Sequence, residues 1–351
     1  MKRITILIAV ITLSVWAVSC DTFVGDSGKK TSTGKAYEVF VVMRDSLWND
    51  LPGDTLRSFF WEPFPMVNQY EPLYSVYQSD PAKFTGLLRQ FRNVLVYQTD
   101  PKFAEPSMKA EYDKWAEPQI VVYVTGPSDS VLIDYMDWNK DALQGIFDIT
   151  EQARFLRTAN VYADPVIKEK AMEHFGLQLN IPKGYKVAME SDDFMWIRYE
   201  LPLISQGIVI YKYPLTNRYA FTPDSLLANR NRFVSRIPGP SEGSHMTTSN
   251  IFVPEVSQTQ INGRIWFMSQ GFWDVAGDYM GGPFTSYSTV NATTREIITI
   301  DTYVFSPKYD KRNYVRQLQS FAQTAAIPGD TVATINWAEF EIPEESTEIN
   351  E

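Results

Sequence analysis

One cysteine in 351 residues, Cys20, sets the first limit on what this chain can fold into. No disulfide can close within it and no thiol cluster can hold zinc, so a stable body has to rest on its core alone. The composition permits that: 44% hydrophobic and 14% aromatic residues suffice to bury a large core and predict two domains.

The position of Cys20 says more than its number. Lys2 and Arg3 precede an apolar run, Ile4 to Ser19, which fits the h-region of an export signal and falls short of a transmembrane helix of about 20 residues. Ala17, Val18 and Ser19 lead into Cys20, and polar residues follow from Asp21. This stretch resembles a bacterial lipobox, with Ala17 where Leu is usual. The resemblance implies cleavage ahead of Cys20 and acylation of its sulfur and new N-terminus, and more than one acyl chain anchors stably. An uncleaved membrane anchor is the alternative. The expected location is the cell envelope, lipid-anchored and facing the periplasm, because Thr22 to Gly25 carry no acidic cluster of the surface-export kind.

Removing the signal takes two of the 32 basic residues and none of the 42 acidic ones, deepening a formal charge of −10. That argues against nucleic acid or anionic lipid as the main partner, since both reward a basic surface.

Along the chain, residues 20–36 are rich in Gly, Ser, Thr and Lys and predict a flexible tether; residues 341–351 predict an acidic tail. Between them, residues 37–175 alternate strand and helix patterns. Strands are expected at Val39–Met43, Leu73–Tyr77, Val94–Tyr97 and Ile120–Val124. Helices are expected at Leu47–Phe60, from Pro81 to Phe91 behind the cap Asp80, and at Val131–Phe147, Thr150–Tyr162 and Pro165–Phe175. From Leu177 the pattern turns to strands, beginning with LQLNIP, and residues 176–340 predict an antiparallel sheet with two helices. One starts behind Thr222, with Leu226, Leu227, Phe233 and Val234 inward; the other carries Tyr314, Leu318, Phe321, Ala322 and Ala325 on one face. The expected fold class is α+β, two α/β-sandwich units divided near Gly176.

The succession GLQLNIPKGYKV, DDFMWIRYE, GIVIYKYP, GDYMGGPFTSYS and SPKYDKRNYVRQLQ resembles the Bacteroidota lipoproteins grouped as domain of unknown function 4837. The likeness runs from about Tyr37 to Ala326, and its most specific pieces are MGGPFTSY and PKYDKRNYVRQL. It implies an envelope lipoprotein and brings no catalytic residues. A second likeness, for the second half alone, is to the Mog1/PsbP-like fold, in which an IPxGY-type strand opens a sheet and an amphipathic helix closes it; function does not follow from it.

No HExxH, GxSxG, P-loop or GxGxxG occurs. His174 falls on an apolar helix face, and His245 falls in a polar loop beside Ser244 and Glu242, too local for a triad. Asp137, Asn139, Asp141 and Asp148 imitate a calcium loop, but Ala142 stands where its sharp turn needs Gly, and a solvated helix face explains them. No metal or cofactor is expected. Trp266, Trp273, Tyr279, Phe284 and Tyr287, set among glycines, are the candidate recognition surface, with a sheet core as the simpler reading. The function expected is a non-enzymatic binding or scaffold module for an envelope protein or for peptidoglycan; the alternative is a hydrolase acting on an envelope polymer.

Overall fold

The computed structural model describes residues 28–329. The apolar run, Cys20 and the acidic tail lie outside the described residues. The N-terminal unit contains β1 (Lys30–Thr31), β2 (Glu38–Val42), β3 (Ser75–Ser79), β4 (Asn93–Thr99), β5 (Ser107–Tyr112), β6 (Ala116–Glu117) and β7 (Ile120–Gly126). Its helices are α1 (Asp45–Trp48), α2 (Leu51–Phe60), α3 (Asp129–Trp138) and α4 (Lys140–Val161).

Its main sheet runs β3-β2-β4-β7-β5, parallel except for β5. Both faces are covered, which is why β2 reads as an unbroken apolar run. Val39, Val41 and Met43 pack with Leu56, Phe60, Leu132 and Phe147, while Phe40 and Val42 pack with Phe84, Phe91 and Trp115.

The tether ends earlier than expected. β1 pairs in parallel with β6, the Ser32 amide donates to Glu117 O at 2.9 Å, and the Arg92 amide donates to Thr33 O at 2.9 Å. Residues 30–36 are therefore part of the body, because their backbone groups find partners there.

Three helix expectations need correction. Asp50 caps α2, accepting from the Leu51 amide at 2.8 Å, with a proline in the first turn, so Leu47–Phe60 is split into α1 and α2. Pro81–Phe91 forms two 3-10 turns, Pro81–Lys83 and Gly86–Gln90, because Gly86, which opens the second, takes a φ of 55° that a continuous right-handed helix does not admit. The break between α3 and α4 falls at Asn139, and α4 runs without interruption through Asp148 and Thr150.

The C-terminal unit contains α5 (Pro165–Phe175), β8 (Lys186–Ser191), β9 (Phe194–Leu201), β10 (Ile204–Pro214), α6 (Pro223–Val234), β11 (His245–Thr248), β12 (Glu255–Ile261), β13 (Arg264–Ala276), β14 (Gly281–Asn291), β15 (Glu296–Phe305) and α7 (Arg312–Ala322). Its antiparallel sheet is ordered β11-β13-β14-β15-β10-β9-β8, with β12 also on β13, and curls into a half-barrel. The molecule is thus mixed α+β. One face of this sheet, with Ile208, Ile210, Ile298 and Ile300, meets Ile167 and Phe175 of α5 and Leu318 and Phe321 of α7. The other, with Val209, Tyr211 and Tyr303, meets Phe233 and Val234 of α6.

Because α5 packs on β8 and β10, it belongs to this sheet, and the division between units falls ahead of Asp164 rather than at Gly176. Residues 177–182, expected as a strand, make only isolated bridges, Gln178 to Ala326 and Pro182 to Ala163. Gly281 and Gly282 open β14. A Cβ at Gly282 would sit 2.0 Å from Val304 O. The glycine leaves room for the Trp273 indole to donate to that same carbonyl at 3.2 Å.

Candidate binding cleft at the junction of the two units

The segment KYDKRNYVR, Lys308 to Arg316, joins the units. α7 has no side-chain cap of its own; its cap comes from the other unit. Buried Glu71 accepts from the amides of Lys311 at 2.7 Å and Arg312 at 2.8 Å with one carboxylate oxygen. A carboxylate there also meets the positive end of the helix dipole. Its other oxygen takes Gln69 Nε2 at 2.9 Å and faces the buried Lys311 ammonium at 4.0 Å. Arg312 donates to Pro72 O at 2.5 Å, and Asn313 donates to Ala36 O at 3.0 Å.

One turn on, Arg316 pairs with Asp148 of α4. Its guanidinium carbon lies 4.0 Å from the Tyr37 ring centre and 5.6 Å from that of Tyr74. The Tyr74 hydroxyl donates to Asp148 and to Gln144 O at 3.0 Å. Burial, together with the Asp148 charge, pushes the Tyr74 phenol far above the usual tyrosine range, so it stays a donor. A cavity of about 410 Å³ opens beside this group.

Next to the N-terminus of α7 a second cavity, of about 550 Å³, lies between the units, lined by Tyr77, Tyr309, Tyr314, Lys35, Asp310 and Arg312 among others. Tyr77 and Tyr309 are about half exposed, at 46% and 52%. Glu38 on its wall is engaged, accepting from the Lys35 amide at 2.7 Å and the Tyr77 hydroxyl at 3.3 Å. Its charge, and then burial, raise the Tyr77 phenol above its ordinary value. Three ring faces beside hydroxyl, ammonium, guanidinium and carboxylate groups suit a polyhydroxylated or peptidic chain that offers both stacking faces and hydrogen bonds.

The sequence pointed elsewhere for a recognition surface. The structure puts Trp266, Trp273, Phe284 and Tyr287 in the core and leaves Tyr279 alone fully exposed. Trp266 and Tyr287 belong to the core on one face of the sheet, Trp273 and Phe284 to the core on the other, so no shared aromatic face can form from them. The loop expected around His245 is partly strand, β11, paired with β13. Ser244 donates its hydroxyl to Ser241 O at 2.5 Å, and His245 Nδ1 lies 3.5 Å from Gly243 O. His174 lies at the end of α5, its Nδ1 3.9 Å from Asp192. Asp137 and Asp141 sit on successive helices, and Asp148 is taken by Arg316 and Tyr74. Among the described residues, no group of three His, Cys, Asp or Glu side chains is placed to hold a metal ion. No helix among them is long and apolar enough to cross a membrane.

The cleft residues were missed as a site because they come from three separated segments, around Lys35, Tyr77 and Tyr309. Tyr309 precedes α7 and Tyr314 stands on the apolar face read for that helix, so no local pattern marks the two as a site.

Residues 164–324 match the family model described as Domain of unknown function (DUF4837), and residues 32–160 match a different one, Domain of unknown function (DUF8532). The chain carries both domains. All five stretches that resembled DUF4837 fall within its matched range, whereas the likeness expected back to Tyr37 does not hold: that half is the DUF8532 domain. One of the two most specific pieces of that resemblance, PKYDKRNYVRQL, is the segment that docks on the DUF8532 domain and lines the cleft. No curated protein matches the chain.

Proposed function

We propose that this chain is a cell-envelope module, anchored by an acylated Cys20 with its body facing the periplasm, that holds a cell-wall glycan in the tyrosine-lined cleft without cleaving it. The observation that carries the binding reading is the cleft of about 550 Å³ with Tyr77 and Tyr309 half exposed beside charged groups. A glycan fits better than a protein surface, because the cleft is concave and its ring faces sit beside polar groups rather than on an open apolar patch. Hydrolysis fits less well: both oxygens of Glu38 already accept hydrogen bonds. We also infer a Mog1/PsbP-like character for the C-terminal unit, supported by the antiparallel sheet that α7 closes.

The test is retention of the mature chain on purified peptidoglycan. Tyr77→Ala with Tyr309→Ala removes two stacking faces worth about 0.5–1.5 kcal/mol each, so affinity falls about fivefold or more. Equal retention of the double variant, or release of soluble fragments by the wild type, overturns the reading. Anchoring is tested by metabolic labelling with a clickable fatty acid, which marks the wild type and spares Cys20→Ser.

A further inference from the structure

We propose that the face bearing Tyr112, Ile149 and Tyr162 rests on the lipid surface to which the chain is anchored. This rests on the acylation of Cys20 put forward above and adds an orientation to it.

The argument begins with chain length. From Lys30 the backbone is fixed, β1 lying along β6, and Lys29 Nζ donates to Asp113 O at 2.5 Å. Only residues 21–27 separate Cys20 from the first described residue, Gly28. Fully extended, a span of that many residues covers about 30 Å at most. A body of this size has a diameter of about 50 Å. The leash is shorter than the body it holds, so the face from which it emerges has to stay near the bilayer.

That face has the character of a membrane interface. β1 and β6 border a groove of about 620 Å³ between α4 and the β5–β6–β7 connections, lined by Thr31, Tyr112, Pro118, Ile149, Arg157 and Tyr162 among others. Tyr112, Ile149 and Tyr162 are each exposed by 60% or more. Tyrosines with apolar neighbours and long cationic side chains are the residues that settle at the level of lipid headgroups. Arg157 supplies a cation, while Asp113 and Glu117 on the groove wall keep the face from being strongly basic. Attraction to anionic lipid is therefore not what holds it; the short leash supplies a high local concentration and the apolar side chains supply the contact.

The single cysteine makes the test direct. The mature chain is coupled through Cys20 to a maleimide-bearing lipid in phosphatidylcholine vesicles, and hydroxyl-radical labelling of its tyrosines is compared with that of free chain mixed with the same vesicles. Coupling should lower labelling of Tyr112 and Tyr162 about tenfold, while Tyr219 and Tyr279, exposed on the C-terminal unit, label as before. Ile149→Asp with Ala153→Asp, both on the groove wall, should restore labelling of Tyr112 and Tyr162 in the coupled protein. Unchanged labelling of Tyr112 and Tyr162 on coupling, or protection of Tyr279 instead, overturns the proposal. Because the anchor is attached chemically, either result is independent of whether cells acylate Cys20, which fatty-acid labelling reports separately.

Discussion

Arg230 and Arg316 are both cations held against a ring and an aspartate, one inside the C-terminal unit and one across the junction. Arg230 and Asp301 are dry, with side-chain exposures of 1% and 0%. Arg230 Nε donates to Asp301 at 2.7 Å and an η nitrogen to Thr248 Oγ1 at 2.8 Å; Ser286 donates to Asp301, and the Phe284 ring centre lies 3.6 Å from the guanidinium carbon. Arg316 is nearly as covered, at 11%, but its partner Asp148 is 44% exposed. Inside a unit, the charges have exchanged all their water for protein partners; at the junction, one still keeps its water. The interior knot fixes which face of α6 meets the sheet, and the junction depends more on the Glu71 cap than on the Arg316 pair.

The largest effect should therefore come from breaking the dry pair. Asp301→Ala leaves the Arg230 charge buried and unpaired, which costs about 3–5 kcal/mol, read as a fall in the denaturation midpoint. Arg230→Met with Asp301→Leu should recover most of that loss, because a buried ion pair replaced by apolar groups is often neutral. If the double variant is as unstable as Asp301→Ala, the knot contributes more than charge balance and the contrast with the junction deepens.

Glu71→Ala comes next, at about 2–3 kcal/mol, combining a lost helix cap with a lost partner for buried Lys311. It differs from Asp301→Ala in kind. The wild type should unfold in one calorimetric transition, and Glu71→Ala should separate it into two, because the bonds removed join units rather than hold one together. A single transition shifted downward would show that the junction is as integral as the core.

How much of this was legible in the sequence follows from how local each feature is. The antiparallel character of the second half could be read from successive apolar runs such as GIVIYKYP, and α7 from its stripe of Leu318, Phe321 and Ala322. The Arg230 knot was within reach: Arg230 stands four residues after Leu226 and three before Phe233, on the inward face of α6. A cation at that position demands a buried acid, although nothing local names Asp301. Glu71 was not legible, because its amide partners lie 240 and 241 residues away. The aromatic run from Trp266 to Tyr287 offered a recognition surface and, more simply, a sheet core; four of the five residues are core, because Trp266 and Trp273, seven apart, and Phe284 and Tyr287, three apart, fall on opposite faces of the sheet and both faces bury them there.

The Arg316 pair should matter least of the three to stability. Arg316→Met keeps an apolar stem between Tyr37 and Tyr74 and releases Asp148 to water, so the expected loss is below about 1 kcal/mol. The Asp193–Arg236 pair marks the fully wet limit of the series, with exposures of 43% and 38%. Bonds from Arg236, at 2.7 and 2.9 Å, hold the Asp193 carboxyl down to about 2 against the opposing effect of burial. A depressed carboxyl stabilises the fold above its unfolded value of 3.8 and loses that contribution as pH falls toward about 2. Solvent screening makes the contribution smaller than the shift alone implies. An NMR titration of Asp193 should give a midpoint near 2, moving up toward 3.8 in Arg236→Ala, with little change in the unfolding midpoint at neutral pH. A wild-type midpoint already near 3.8 would remove this pair from the series and leave burial of the carboxylate, rather than pairing, as the quantity that separates Arg230 from Arg316.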